Sequence, residues 1–226
     1  MPEPIRLPSL HRHDLLWADP AGWKTMLRVR PDLSALPQVA DWAANRWPLV
    51  VRRPAATDLP GFLPAALALP PVSGRLRIGV QLDPAIVTDH RGPMAIDRAR
   101  GAAPALWRPI LDALVEVATR HGARLTVFGG LLWQAATGLP YLTESSDADL
   151  LWQISATTNP LALASEVASI DTTSPVRIDG EILLLDGGGV NWRELARSRH
   201  EVLVKTMRGI ECRAIDFLCK PQGAAA

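Results

Sequence analysis

The chain has 226 residues and a formal net charge of +1 at pH 7. Hydrophobic residues make up 48% of it and charged residues 21%, values typical of a globular enzyme and not of a disordered chain. The near-neutral balance gives no sign of a nucleic-acid or membrane partner, so we expect any anion site to be local. Cys212 and Cys219 are too few for a disulfide framework and lack zinc spacing. With no signal-peptide pattern at the N-terminus, we expect a cytoplasmic protein.

The first hundred residues are rich in proline and tryptophan, which predicts short strands and loops rather than long helices. Leu49–Val51 and the alternating segment 75–82 are predicted strands. Residues 89–103 combine glycine, proline and charges, which indicates a linker. We therefore predict a smaller N-terminal mixed unit that binds substrate or carrier, residues 1–92, followed by a catalytic unit, residues 93–226.

Beyond the predicted linker, helical and strand patterns mix. The helices are expected from Pro104 to Gly122 and at Leu131–Ala136, Pro160–Ile170 and Trp192–Arg199. The strands are expected at Leu125–Phe128, Asp149–Ile154, in two pieces within Val176–Leu185, and at Val202–Thr206. The dipeptide Asp179-Gly180 is suited to a hairpin turn between those two pieces. This mixture predicts an α+β fold with a mixed sheet and helices.

The segment that indicates chemistry contains two glycines followed by two aspartates. A strand that ends in Gly129-Gly130 and enters a helix lets backbone N–H groups approach a phosphate without obstruction by Cβ. Asp147 and Asp149, two residues apart on the next predicted strand, present both carboxylates to one side while Ala148 turns towards the core. Mg²⁺ prefers carboxylates together with phosphate oxygens. The pattern therefore predicts magnesium-dependent phosphoryl or nucleotidyl transfer.

This order of motifs resembles the DNA polymerase beta-type nucleotidyltransferase superfamily, which implies a nucleotidyltransferase-like sheet. The longer runs 129–134, 137–142 and 146–152 closely resemble one branch, the malonate decarboxylase holo-acyl-carrier-protein synthases, also called phosphoribosyl-dephospho-CoA transferases. A looser resemblance extends to residues 13–17, 52–53, 177–181 and 202–205. Members of the branch often carry Gly-Ser where this chain has Gly129-Gly130. The glycine removes a hydroxyl from the phosphate cradle and leaves the backbone donors in place.

The resemblance implies a reaction and its partners. The donor would be 2′-(5″-triphosphoribosyl)-3′-dephospho-CoA, and the acceptor a serine on the acyl-carrier subunit of malonate decarboxylase. Asp147 and Asp149 would hold Mg²⁺, diphosphate would leave, and neither nucleic acid nor a membrane would take part. Two alternatives stay open: an ATP-dependent adenylyltransferase of the same superfamily, and a catalytically inactive homologue that only binds. The intact aspartate pair argues against the inactive homologue.

A third carboxylate is expected to complete such a site, by binding metal near the attacking hydroxyl or by accepting its proton. Asp179 is the predicted residue, with Glu181 and Asp186 in reserve. The competing interpretation of Asp179 is an ordinary Asp-Gly hairpin turn.

A triphosphate also needs cations. Lys205, on an apolar strand, is predicted to contact it, and the alternative is a lysine that protects an exposed edge strand. Further arginines of the N-terminal unit are predicted to line the same cleft, although exposed surface positions are their default interpretation. These are Arg52, Arg53, Arg75 and Arg77.

Overall fold

A computed structural model describes residues 9–218 of the chain. They separate into two compact units, one ending at Pro93 and the other beginning at Met94. Each unit has a β-sheet of its own. No helix in the described part of the chain is long and apolar enough to cross a membrane.

The first unit consists of short elements around an antiparallel sheet. Its strands are β1 (Leu15–Ala18), β2 (Leu49–Val51), β3 (Leu63–Ala68), β4 (Arg77–Leu82) and β5 (Val87–Arg91), in the spatial order β4-β3-β2-β1-β5. Its helices are α1 (Pro20–Leu27), α2 (Pro31–Ser34) and α3 (Pro37–Ala40), and each begins with proline, whose missing N–H is not needed there. Trp23 and Trp42 are fully buried, and their indole N–H groups donate to the carbonyls of Val39 and Pro48. The prediction of short strands and loops is confirmed.

The second unit combines helices with a longer mixed sheet. Its strands are β6 (Met94–Ala95), β7 (Arg124–Val127), β8 (Ala148–Gln153), β9 (Ile178–Leu183), β10 (Gly189–Asn191), β11 (Glu201–Lys205) and β12 (Ile210–Ala214), arranged as β12-β11-β10-β9-β8-β7-β6. Its helices are α4 (Ile96–Ala99), α5 (Arg108–Arg120), α6 (Gly129–Thr137), α7 (Pro160–Asp171), α8 (Trp192–Arg197) and α9 (Ile215–Leu218). Strands β8 and β9 are parallel and the other neighbouring pairs are antiparallel. The predicted α+β class is confirmed.

Strand periodicity gives this sheet one apolar face and a second face, here called the polar face, which carries Asp149, Asp179 and Lys205 beside the buried Leu151. The apolar face contains a row of fully buried side chains in register across four neighbouring strands: Trp152, Ile182, Val190 and Val204. Burying a large apolar side chain stabilises a fold by about 1.5–3 kcal/mol. The aspartates and Lys205 lie at alternate positions, so the core on the apolar face fixes the direction in which they point.

The linker predicted at residues 89–103 is wrong. Residues 89–91 belong to β5 of the first unit, and Met94 pairs with Val127 across β6 and β7 in the sheet of the second unit. Ile96 and Ala99 on α4 are buried. The long helix also begins later than expected. Residues Ala105–Trp107 form a 3₁₀ turn before α5 starts at Arg108.

The predicted hairpin at Asp179-Gly180 is also wrong, because both residues lie inside the continuous strand β9. The chain turns later, where the Gly188 N–H donates to the Asp186 carboxylate. Glycine is needed at position 180 because β9 lies close against β8. A Cβ there would lie 2.0 Å from the carbonyl oxygen of Leu150.

Candidate active site

The two aspartates of the predicted site lie at the start of strand β8, on the polar face of the sheet. Asp149 is the second residue of the strand and Asp147 directly precedes it. Their carboxylates are half-buried, whereas Ala148 and Leu150 between and beyond them are fully buried. The alternation confirms the predicted placement, with both carboxylates on one side and the small and apolar residues in the core.

The two glycines contact Asp149 from the direction of β7. The Phe128 N–H donates to the Asp149 carbonyl at 3.1 Å, which ties the end of β7 to β8. Gly129 has a φ of +60°, and a Cβ on it would lie 1.8 Å from Asp149 Oδ2. The Gly130 N–H donates to the same oxygen at 3.4 Å. Glycine is therefore required here by backbone conformation and by the carboxylate itself.

Helix α6 begins at these glycines, and Leu131, Leu132 and Trp133 bury it in the unit. Its N-cap residue, Phe128, makes no side-chain capping hydrogen bond, and the only side chain described at the helix start within residues 9–218 is the Asp149 carboxylate that accepts from the Gly130 N–H. The first N–H groups of a helix have no partner inside the helix, and together with the helix dipole they favour an anion. The helix start can accordingly receive a phosphate group beside Asp149.

Asp179 lies directly across from Asp149, as its registered partner on the parallel strand β9. Residues in register share a face of the sheet, so the carboxylates of both point to the polar face. Asp179 Oδ1 accepts from the Gly180 N–H at 2.9 Å and from Asn191 Nδ2 at 3.4 Å. Within residues 9–218, no hydrogen bond reaches its Oδ2. One oxygen is held in place and the other can face a substrate.

The two reserve carboxylates have other partners. Glu181 is buried, and Lys205 Nζ donates to its Oε1 at 2.7 Å. Asp186 lies in the turn after β9, paired with Arg213. Burial opposes ionisation of Asp186, but hydrogen bonds from the Gly188 N–H and Arg213 outweigh it and lower the pKa of this carboxyl.

Lys205 does not protect an edge strand, because β12 pairs along the whole outer side of β11. Its side chain is 41% exposed, and its partner Glu181 is 5% exposed. The alternating burial of β11 puts Val202 and Val204 in the core and leaves Leu203 and Lys205 on the polar face. The Lys205 ammonium contacts the buried Glu181 carboxylate. Its contact with phosphate stays a prediction.

One residue near the aspartates is absent from the predicted site. Arg177 directly precedes β9, and its Nη1 lies 3.3 Å from Asp147 Oδ2. A sequence signal for it exists, since Arg177-Ile178-Asp179 repeats the spacing of Asp147-Ala148-Asp149. If the two segments are aligned as neighbouring parallel strands, Arg177 comes opposite Asp147.

Of the four predicted arginines of the first unit, Arg77 begins β4, Arg75 lies two residues before it, and Arg52 and Arg53 lie just beyond β2. Arg52 is held by the fold, because its guanidinium donates to both oxygens of Asp58 and to the carbonyls of Ala65, Arg53 and Val80. This pairing lowers the pKa of the Asp58 carboxyl. Arg53 is half-buried, while Arg75 and Arg77 are exposed. Phosphate binding by these residues stays a prediction.

The donor set at β8 suits Mg²⁺ in combination with a substrate. Magnesium is commonly bound by one or two carboxylates plus phosphate oxygens, and Asp147 and Asp149 present two carboxylates beside the start of α6. In the described range, 9–218, no three His, Cys, Asp or Glu side chains come together as a ready-made metal site. The residues therefore fit a metal whose remaining ligands come from a triphosphate and water.

Comparison with known families agrees with the motif pattern. Residues 81–214 match the family described as phosphoribosyl-dephospho-CoA transferase MdcG C-terminal domain. Residues 11–93 match the N-terminal domain of the same family. The chain belongs to the phosphoribosyl-dephospho-CoA transferase family. It is accordingly a transferase, and the segment 129–149 lies inside the matched C-terminal domain.

Relatives that carry the name phosphoribosyl-dephospho-CoA transferase align with most of the chain. A protein of Bradyrhizobium diazoefficiens is 39% identical over 88% of this chain and 88% of its own length. One from Xanthomonas euvesicatoria is 36% identical over 90% and 93%, respectively. One from Pseudomonas putida is 34% identical over 87% and 90%. No solved structure matches the chain.

Proposed function

We propose that this chain transfers the phosphoribosyl-dephospho-CoA group from 2′-(5″-triphosphoribosyl)-3′-dephospho-CoA to a serine of the acyl-carrier subunit of malonate decarboxylase. The observation that carries the proposal is the arrangement around Asp149. It is registered with Asp179 on one side and touched by Gly129 and Gly130 on the other, in a chain of the phosphoribosyl-dephospho-CoA transferase family. The reaction is proposed to take place in the cytoplasm.

The serine oxygen attacks the phosphorus nearest the ribose. A bond forms between that oxygen and phosphorus, and the bond to the bridging oxygen of the β-phosphate breaks. Diphosphate leaves with the electron pair, and the serine proton is lost. The carrier is then joined to the ribose through a phosphodiester. Phosphoryl transfer of this kind depends mainly on positioning and on stabilisation of charge at the phosphate oxygens.

The residues around β8 supply these functions in our proposal. The backbone N–H groups at the start of α6 receive the diphosphate part of the donor. Asp147 and Asp149 would hold Mg²⁺, which neutralises charge on the phosphate oxygens when bound. Asp179, oriented by the Gly180 N–H and by Asn191, accepts the serine proton through Oδ2.

The proposal is tested by mixing the purified chain, the apo-carrier subunit and magnesium with either the triphosphoribosyl donor or ATP. We expect the carrier to gain the mass of the prosthetic group, with one diphosphate released per carrier, from the first donor alone. A carrier with alanine at its acceptor serine should gain nothing. Adenylylation of the carrier from ATP would favour a generic adenylyltransferase, and binding of the donor without transfer would favour an inactive homologue.

A further inference from the structure

A basic cleft opens beside Arg177, on the β9 side of the proposed active site. The cleft has a volume of about 530 Å³ and lies between the chain segment before β9 and helix α8. Its charged lining consists of Arg177, Arg193, Arg197 and Asp171, which leaves a surplus of two positive charges. A concave surface of one charge sign attracts a partner of the other sign.

The three arginines differ in how free they are to meet a ligand. Arg193 is fixed, because its guanidinium makes hydrogen bonds to both carboxylate oxygens of Asp171 and to the Ile178 carbonyl. Arg197 is exposed at the end of α8, and no side chain within residues 9–218 pairs with it. The Arg177 side chain is 64% exposed. The exposed charge of the cleft therefore comes from Arg197 and from Arg177, although Arg177 also lies 3.3 Å from Asp147.

A second cleft joins the basic cleft to the aspartates. It has a volume of about 640 Å³, and Pro175, Val176 and Arg177 line both clefts. Asp147 lies in its wall, and so does Leu106, which is 65% exposed. A partner seated on Arg197 can therefore extend over a partly apolar surface as far as Asp147.

The position of the basic cleft relative to β8 indicates which substrate it serves. Strand β8 lies between β7 and β9. Gly129 and Gly130 reach Asp149 from β7, whereas Arg177 and Asp179 approach from β9. In an in-line transfer the attacking and leaving oxygens lie on opposite sides of the phosphorus. With the diphosphate at the glycines, the acceptor hydroxyl comes from the β9 side, where the basic cleft opens.

We propose that the basic cleft, with the adjoining partly apolar surface, docks the acceptor protein through an acidic patch that flanks its acceptor serine. The inference rests on the proposed function, because it takes the side of the leaving group from it. A folded acceptor needs a surface beyond the reacting serine, and charge complementarity there raises the association rate and fixes the orientation. Arg197 is an exposed charged residue of this surface to which no catalytic role is assigned.

The test compares Arg197→Glu with Arg199→Glu, a matched charge reversal two residues further along the chain. Arg199 is exposed and does not line the cleft. We expect Arg197→Glu to raise the KM for the apo-carrier roughly 5- to 10-fold and to weaken the salt dependence of kcat/KM, with the donor KM unchanged. Arg199→Glu should change these values by less than about twofold. Arg197→Gln should give an intermediate KM.

Other results would overturn the inference. A rise in the donor KM, or in the inhibition constant of inorganic diphosphate, would mean that the cleft binds polyphosphate. Equal effects of the two charge reversals would mean that only overall charge matters. Binding of the apo-carrier without donor provides a second measurement, since the affinity should fall for Arg197→Glu alone. Transfer by the wild-type chain is measured in the same experiment, so failure of the proposed function is recognised separately.

Discussion

The two sides of strand β8 present different kinds of chemical groups to the aspartates. On the β7 side, the groups that meet Asp149 are backbone atoms of Gly129 and Gly130 at the start of a helix buried by Leu131 and Leu132. On the β9 side, Asp179 is the registered partner of Asp149, and the Arg177 side chain beside Asp147 is 64% exposed. One side presents packed backbone without charged side chains, and the other is polar and open to water.

This difference corresponds to what each side must do. Backbone donors have no rotamers to adjust, so they can bind a phosphate only if the helix that carries them is held by packing. Side chains that exchange partners during a reaction must instead be reachable by water and substrate. Because an exposed ion pair contributes little to stability, Arg177 can leave Asp147 at small cost when a metal and phosphates arrive.

The largest loss of activity is expected from substitutions at β8 itself. Asp147→Ala and Asp149→Ala should each lower kcat on the order of 10²-fold or more, because each removes a ligand that stabilises charge in the transition state. Steady-state transfer assays at saturating magnesium measure the loss. Glu116→Ala, on the exposed face of α5, is a matched loss of charge and should retain activity. Full activity of both aspartate variants would contradict a metal site at β8.

The rigidity of the β7 side is tested by Gly129→Ala. The added Cβ would overlap Asp149 Oδ2 at 1.8 Å and would also strain a backbone with φ of +60°. Displacing a catalytic carboxylate by about 1 Å can cost on the order of 10²-fold in rate, so we expect a 10- to 10²-fold loss of kcat. Circular dichroism should show that the variant is folded.

Gly138→Ala is the control that separates the effect of atomic overlap with Asp149 from the effect of backbone strain. Gly138 ends the same helix with φ of +73°, but no atom lies within 4 Å of its added Cβ. We expect this variant to lose about 1 kcal/mol of stability and to keep its kcat. If both glycine variants lose kcat equally, the contact of Gly129 with Asp149 is not what positions the carboxylate.

Local sequence patterns could predict one half of this site. The alternation around Ala148 needs only the period of a strand, and the stop of α6 at Gly138 needs only the left-handed conformation that glycine adopts there. The α+β class also followed from such local patterns. These features depend on residues that are close together in the chain.

The other half depends on strand pairing between distant residues. Asp179-Gly180 has the local signature of a hairpin, but parallel pairing with β8 overrides it and makes Asp179 a partner of Asp149. Arg52 resembles any surface arginine in sequence. Its contacts with Asp58 and with the Val80 carbonyl form only after three strands have come together. Interactions of this kind are not encoded in a local window.

Lys205 of β11, which pairs with Glu181 of β9, provides a further test of the β9 side. Lys205→Ala leaves Glu181 buried without its cation, which should lower the free energy of unfolding by roughly 1–2 kcal/mol. The loss is smaller than for a fully buried pair because water reaches the ammonium. Adding Glu181→Gln should recover much of that stability, since the buried charge is then gone. Denaturant unfolding of the wild type, both single variants and the double variant measures the coupling.

The same set of variants tests the predicted phosphate contact of Lys205. If the ammonium also meets the triphosphate, the stable double variant should retain a raised KM for the donor and a lowered kcat. Lys205→Arg should then be only partly tolerated, because a planar guanidinium does not replace a compact ammonium. A double variant with wild-type kinetics would restrict Lys205 to its pairing with Glu181.

The smallest effect is expected at Tyr141, on the β7 side. Its ring stacks on Trp133 with 6.3 Å between centroids, and its N–H donates to Gln134 Oε1. Burial raises the pKa of Tyr141 to about 12, although a hydrogen bond with Thr137 opposes the shift. An unfolded tyrosine ionises near its ordinary pKa of about 10. The neutral ring therefore stabilises the fold fully below about pH 10, and this contribution is lost as pH rises from about 10 to 12.

Tyr141 is the only tyrosine of the chain, so its ionisation can be followed by tyrosinate absorbance without assignment. In the folded protein the absorbance should rise near pH 12, and after unfolding near pH 10. At about pH 11 the wild type should have lost roughly 1 kcal/mol of stability relative to Tyr141→Phe, compared with their difference at neutral pH. Lysine and arginine titrations are common to both proteins and cancel in this comparison. A midpoint near pH 10 in the folded protein would mean that water reaches the phenol. The packing beside α6 would then be too loose to hold the backbone donors of the β7 side in place.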